Sequence, residues 1–224
     1  MIPGEEVDIV VPILNEASCV RELIQRLRSA CPGARLIFVD NGSTDGTLDQ
    51  LQASGVDVIR HSTNEGYGKS LRDGIDAGTR PNILTIDADL EYPPECAPQL
   101  LSALETSGVV YGSRFLDGNP DMTMVRRSGN RWLTSLFNAV CSQQLTDLYT
   151  GVKAFRRDAV ADGPFEEAGF AFVVEFAVRA ARAGRIADVA VAYHPRVKGR
   201  SKMRHVAEGI RALRALAKYR LNRS

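Results

Sequence analysis

No apolar stretch in this 224-residue chain approaches the roughly 18 residues that a helix needs to cross a bilayer. The N-terminus also lacks the basic start and apolar middle of a secretion signal. A cytoplasmic protein is expected, resting at most on the surface of a membrane. Cysteine is sparse: Cys19, Cys31, Cys96 and Cys141 are scattered without a Cys-x-x-Cys pair, and His61, His194 and His205 show no ligand spacing. Nothing here reads as a zinc site or a disulfide framework, and a reducing compartment fits best. Two nucleotide motifs are missing as well. EGYGKS (65–70) ends like a phosphate-binding loop, but the first glycine of that loop would fall at residue 63, which is threonine. A dinucleotide fingerprint fails because Gly66-x-Gly68 is followed by Leu71 where glycine is required. Kinases, simple nucleotidases and nicotinamide enzymes are therefore disfavoured.

What is present is ordinary in amount and uneven in placement. Apolar residues make up 44% and charged residues 25%, enough to build a real core. The net charge of +1 conceals an asymmetry. Residues 196–224 hold ten Lys or Arg against the single acid Glu208, so this segment carries +9 and the remainder −8. A basic tail on an acidic body predicts an anionic partner there, either phosphate or a membrane surface. No nucleic-acid partner is expected.

Strand-like runs alternate with helical spacing through the first half. Strands are expected at 7–14, 34–40, 56–61, 82–89 and 109–115, and helices at 17–30, 45–53 and 68–78. Further on, 126–141 and 172–183 read as helices and 186–193 as a strand. Val- and Ile-rich strands spaced by helices predict an α/β fold, with a mostly parallel central sheet covered by helices on both faces. Ligands collect at the carboxyl ends of such strands. Asn15-Glu16, Asp40-Asn41, Asn64-Glu65, Asp87/Asp89 and Ser113-Arg114 all fall there.

The most informative of these ends is TIDADLEYPP (85–94). Residues i and i+2 of an extended chain point to one side, so Asp87 and Asp89 can reach a single cation. Paired hard oxygens suit Mg²⁺ or Mn²⁺ held jointly with substrate phosphates. The same residues also suit a solvated turn.

VVPILNEA (10–17), FVDNGSTDGT (38–47), NEGYGKS (64–70), TIDADLEYPPE (85–95), YGSRF (111–115), DLYTGVKAFRRD (147–158) and RVKGRSKM (196–203) stand in order. That series resembles family 2 glycosyltransferases, and within them the dolichyl-phosphate mannose synthase and polyprenyl-phosphate hexose synthase group. The resemblance implies a GT-A fold over 1–204, leaving 205–224 as a basic amphipathic helix. It also implies inverting transfer of a hexose from a UDP- or GDP-sugar with a divalent metal. By the same resemblance, Pro12, Asn15 and Glu16 would form the nucleotide pocket wall, and Asp40 would accept from the base. Asn41 departs from the family's usual second aspartate. Asp87 and Asp89 look like the metal motif, and Glu91 would extend the metal shell. Arg114, with Arg126 or Arg127, resembles the residues that receive an acceptor's phosphate. Arg196, Ser201 and Lys202 resemble a segment that closes over the donor's diphosphate. Asp89, Arg114 and Glu175 are the candidate catalytic residues. Glu175 is either a base, an arginine-orienting carboxylate or half of a buried ion pair.

Several readings stay open at this level. The acceptor is expected to be a polyprenyl phosphate or, alternatively, a soluble molecule. Sugar-phosphate nucleotidyl transfer shares the sheet and metal chemistry, but usually places a glycine-rich basic loop where this chain has Leu14-Asn15-Glu16-Ala17. Tyr67 and Lys69 read as ordinary loop residues or, alternatively, as contacts to the donor. Trp132 and Phe137 read as core, although RWLTSLFNAV beside paired arginines also suits a helix at a membrane interface. In the last helix, Val206, Ile210, Leu213 and Ala217 form the expected apolar face, which either docks on the body or lies on anionic lipid.

Overall fold

The computed structural model describes residues 2–118, 121–160, 163–195 and 205–221. Seven strands form one sheet: Val7–Ile13 (β1), Arg35–Asp40 (β2), Asp57–Arg60 (β3), Asn82–Thr85 (β4), Val109–Ser113 (β5), Lys153–Arg156 (β6) and Ala187–Ala190 (β7). Their order is β3-β2-β1-β4-β6-β5-β7. The pairs β1–β2, β1–β4, β2–β3 and β5–β7 are parallel, and β6 runs antiparallel to both of its neighbours. The helices are Val20–Ala30 (α1), Thr47–Ala53 (α2), Tyr67–Ala77 (α3), Ala97–Leu104 (α4), Met124–Cys141 (α5), Phe172–Ala183 (α6) and His205–Leu221 (α7).

Alternation along β1 explains the layering. Ile9, Val11 and Ile13 pack with Val20, Leu23 and Leu27 of α1 and with Leu100, Leu101 and Leu104 of α4. Val10 turns to the opposite face, joining Leu71 and Ile75 of α3, Phe137 of α5, Phe172 and Phe176 of α6, and Leu216 of α7. Both faces are thus apolar, and the strands read as continuous Val/Ile runs as a doubly covered sheet requires. Gly74 lets α3 lie close on that sheet, because a Cβ there would overlap Val10.

Four expectations need correction. Strand β4 ends at Thr85 rather than running to residue 89, because its ladder with β1 closes at Val10↔Thr85. Asp87 and Asp89 consequently lie in the following turn, where Leu90 adopts a left-handed backbone (φ 59). Strand β6 and helix α4 were not foreseen. Trp132 is exposed rather than core, whereas Phe137 is fully buried. In α7 the inward face is Ala212, Ala215, Leu216 and Tyr219, and Ile210, Leu213 and Ala217 point outward. Small alanines bring α7 close, and Arg220 Nε donates to Val140 O of α5 at 3.1 Å. The Val206 side chain lies outside the described residues.

Candidate active site

The carboxyl ends of β1, β4 and β5 open into one cleft, completed by α5 and the segment before β6. Pro12 and Glu16 line one side, Asp87, Asp89, Glu91 and Tyr92 the floor, and Arg114, Arg126 and Asn130 the far wall. Beyond β1 the chain is knitted to the loop after β2. Asn15 N donates to Ser43 Oγ (2.9 Å), Thr44 N to Asn15 Oδ1 (2.8 Å) and Glu16 N to Thr47 Oγ1 (2.9 Å). Asn15 therefore braces the wall instead of lining it. Asp40 is buried beside this wall. Its Oδ1 accepts from Ser43 N at 3.2 Å, and its Oδ2 has no hydrogen-bond partner among the described residues.

The aspartates sit in an electrostatically frustrated corner. Burial first, and the neighbouring Asp89 second, push the Asp87 carboxyl above the usual carboxylate range. Tyr67 of α3 donates its hydroxyl to Asp87 Oδ1 at 2.9 Å and stacks on Phe170 at 5.0 Å between centroids. Burial and then Asp87 raise the Tyr67 phenol, so it stays a donor. Tyr67 thus belongs to the cleft, as the alternative to an ordinary loop residue had it. On the opposite side of Asp87 lies Gly151, where a Cβ would overlap Asp87 Oδ2 and crowd the Tyr92 ring.

Two crowded carboxylates with hard oxygens fit a divalent cation of the Mg²⁺ or Mn²⁺ type. Such ions are commonly held by one or two protein carboxylates, with phosphates supplying the rest. Among the described residues, no three His, Cys, Asp or Glu side chains converge as a metal cluster. Glu91 lines the same cleft. It faces Tyr193, whose phenol is raised by burial and then by Glu91. Gly151→Ala is expected to displace Asp87 and lower turnover about 100-fold, the usual cost of an ångström-scale misplacement. Steady-state kinetics set against a thermal melt would check it.

The far wall is built on a carboxylate with no role assigned from sequence. Asp147 is fully buried. It receives Arg114 Nε at 2.6 Å, Arg114 Nη2 at 2.9 Å and Asn130 Nδ2 at 2.6 Å. Arg114 Nη2 also donates to Tyr149 O at 3.0 Å. Tyr193 and Tyr92 flank the guanidinium at 5.4 and 5.7 Å from their ring centres. A planar fork clamped in this way presents a fixed cation to the cleft. Arg126 reaches the cleft, and Arg127 is absent from its lining. Behind the floor, Lys153 is buried, donates to Thr150 O and lies 5.1 Å from the Tyr111 ring centre. Burial lowers its ammonium below the ordinary lysine range.

Glu175 does not reach the cleft. On α6 it pairs with Arg179 Nη2 (2.6 Å) and accepts from Glu166 N (3.0 Å) and Glu167 N (2.9 Å). It is a buried ion pair that ties down the preceding loop, and it is not placed to act as a base in the cleft. Arg196, Ser201 and Lys202 lie outside the described residues. The signal that could have pointed to the missed carboxylate was slight. Asp147 is a lone acid heading a run that soon reaches Gly151.

The sequence profile described as Glycosyl transferase family 2 matches residues 8–163. "Glycosyltransferase AglJ" of Haloferax volcanii is 32% identical over 200 residues, covering 87% of this chain and 65% of its own length. The chain thus spans about two thirds of that relative. "Undecaprenyl-phosphate mannosyltransferase" of Micrococcus luteus is 31% identical over 208 residues, covering 87% of this chain and 86% of its own. Among solved structures, glucosyl-3-phosphoglycerate synthase from Mycobacterium tuberculosis, in complex with Mg²⁺ and UDP, superposes with a TM-score of 0.77 at 21% identity. That match covers 96% of this chain and 79% of the synthase.

Proposed function

The chain belongs to glycosyltransferase family 2, and from that premise we propose that it transfers a hexose from a UDP- or GDP-sugar to a polyprenyl phosphate, using Mg²⁺ or Mn²⁺. The observation that carries this reading is the meeting, in one cleft, of Asp87 and Asp89 with Arg114 and Arg126. One end suits a cation-bridged diphosphate, and the other suits a second phosphate. Relatives named for undecaprenyl phosphate support the lipid acceptor.

Asp87 and Asp89 would hold the cation, whose contribution when bound is to neutralise charge on the departing nucleoside diphosphate. The partnerless Oδ2 of Asp40 is suited to accept from a nucleotide base. Arg114, fixed by Asp147, and Arg126 would seat the acceptor phosphate. A phosphate monoester has its second pKa near 6 and is largely ionised at neutral pH, so it needs no base. Withdrawal of Glu175 from the cleft fits that chemistry. An acceptor oxygen attacks C1 from the face opposite the diphosphate. The C1–O bond breaks with its electron pair leaving on the diphosphate, and the configuration inverts.

The test is incubation of the protein and Mn²⁺ with radiolabelled nucleotide-sugar and a short-chain polyprenyl phosphate. Label is expected to pass into organic solvent and to stay aqueous when the metal is chelated. Label that never partitions would transfer the assignment to a soluble acceptor.

A further inference from the structure

Large apolar side chains are exposed where the cleft meets solvent. On α5, Met124 is 79%, Val125 75% and Trp132 58% exposed; on α7, Ile210 is 50% exposed and Leu213 38%. Three of them adjoin residues that line the cleft: Met124 precedes Val125, Trp132 precedes Leu133, and Ile210 follows Gly209. The patch therefore rims the opening. Soluble proteins rarely leave several such side chains together without a partner.

α7 carries a second oddity. Its inner face is already satisfied by Ala212, Ala215, Leu216 and Tyr219 buried against the body. Ile210 and Leu213, one turn apart, are thus surplus to folding. Arg211 and Arg214 stand exposed beside them, and Arg131 beside Trp132. Apolar side chains with an indole among arginines are the composition of a surface that sinks into the headgroup region of a bilayer. No helix among the described residues is long and apolar enough to cross one.

We infer that the rim formed by Met124, Val125 and Trp132 of α5 with Ile210 and Leu213 of α7 docks on an anionic bilayer, turning the cleft toward the membrane. The inference rests on the lipid-acceptor reading for its purpose, though its test does not. The arginines select anionic headgroups and the apolar side chains enter the acyl boundary. The mouth of the cleft then meets a phosphate held at the same depth.

The chain has one tryptophan, Trp132, so its emission reports on this patch alone. The protein would be mixed with vesicles of phosphatidylglycerol and phosphatidylcholine, without donor or acceptor. Co-sedimentation is expected, with Trp132 emission shifted to shorter wavelength and quenched by lipids brominated on their acyl chains. Pure phosphatidylcholine should bind at least ~10-fold more weakly, because each basic side chain near an anionic surface contributes about 1 kcal/mol. The triple variant Met124→Ser, Ile210→Ser, Leu213→Ser keeps the reporter and the cleft lining. It should partition at least ~10-fold less, since burying each side chain fully is worth roughly 1.5–3 kcal/mol. Far-UV dichroism and transfer to a short-chain acceptor in solution should match the wild type.

No sedimentation, an unmoved Trp132 spectrum, or full binding by the triple variant would each overturn the inference. So would a dimer in solution that the same substitutions split, which would assign the patch to a second copy. Transfer to short-chain acceptor without vesicle binding would overturn the docking surface alone. Vesicle binding without transfer would support the surface and retire the acceptor assignment.

Discussion

Asp89→Ala is expected to cut sugar transfer about 10²- to 10³-fold, the scale seen when one charge-stabilising group is removed from an active site. The fold should survive. Asp89 lies in the turn beyond β4, where it accepts from Glu91 N at 3.1 Å. Losing one such bond costs about 1 kcal/mol. Its removal also relieves the repulsion that raises the Asp87 carboxyl, which works in favour of stability. The discriminating measurement is titration with UDP and GDP, with and without Mn²⁺. In the wild type, affinity for one nucleotide should rise with the metal; in the variant it should be indifferent to it. A variant that keeps wild-type turnover, or an intact metal response, would remove the basis for assigning the aspartates to the diphosphate.

Asp147→Ala should have the largest effect on stability. It strands the Arg114 guanidinium, which is nine-tenths buried, without the carboxylate that receives two of its nitrogens. Removing one partner of a buried pair typically costs 3–5 kcal/mol, or about that here, a large part of the roughly 5–15 kcal/mol that holds a domain together. The urea midpoint should fall accordingly. Asp147→Asn keeps an oxygen for Arg114 and should recover much of that stability. It leaves the guanidinium less firmly aimed, so its defect should show as a raised KM for the acceptor more than as a melt. A stable, fully active Asp147→Ala would mean that Tyr149 O and the flanking aromatic rings suffice to hold Arg114.

The strands were legible where both faces are buried. VDIVVPI and RLIFVD carry runs of Val, Ile and Leu that only a doubly covered sheet can use. Strand β6 was not, because KAFR begins and ends with a charge. Lys153 is tolerated inside because Thr150 O and the Tyr111 ring receive it and the Asp87 and Asp147 carboxylates offset its charge, and none of these is visible from local spacing. Helix α7 misled for a different reason. It has apolar residues on two faces, and periodicity alone cannot say which one the body takes. At the cleft, the carboxylates Asp87 and Asp89 announced themselves by following an apolar run. Tyr67 and Asp147 did not, since their significance lies in Asp87 and Arg114, 20 and 33 residues away. Glu175 looked chemical because it stood alone among apolar residues. Its partner Arg179 is one helical turn on, and the backbone it secures lies 8 and 9 residues back.

The reversed strand β6 has a consequence for biosynthesis. As the polypeptide leaves the ribosome, β1 to β4 and the aspartate turn can assemble from contiguous sequence. The arginine wall cannot join the sheet at that stage, since β5 pairs with β4 through residues 153–156, which lie between them in the strand order. Until those residues emerge, β5 has no hydrogen-bonded partner between itself and β4, and their late arrival joins the two ends of the cleft through the sheet.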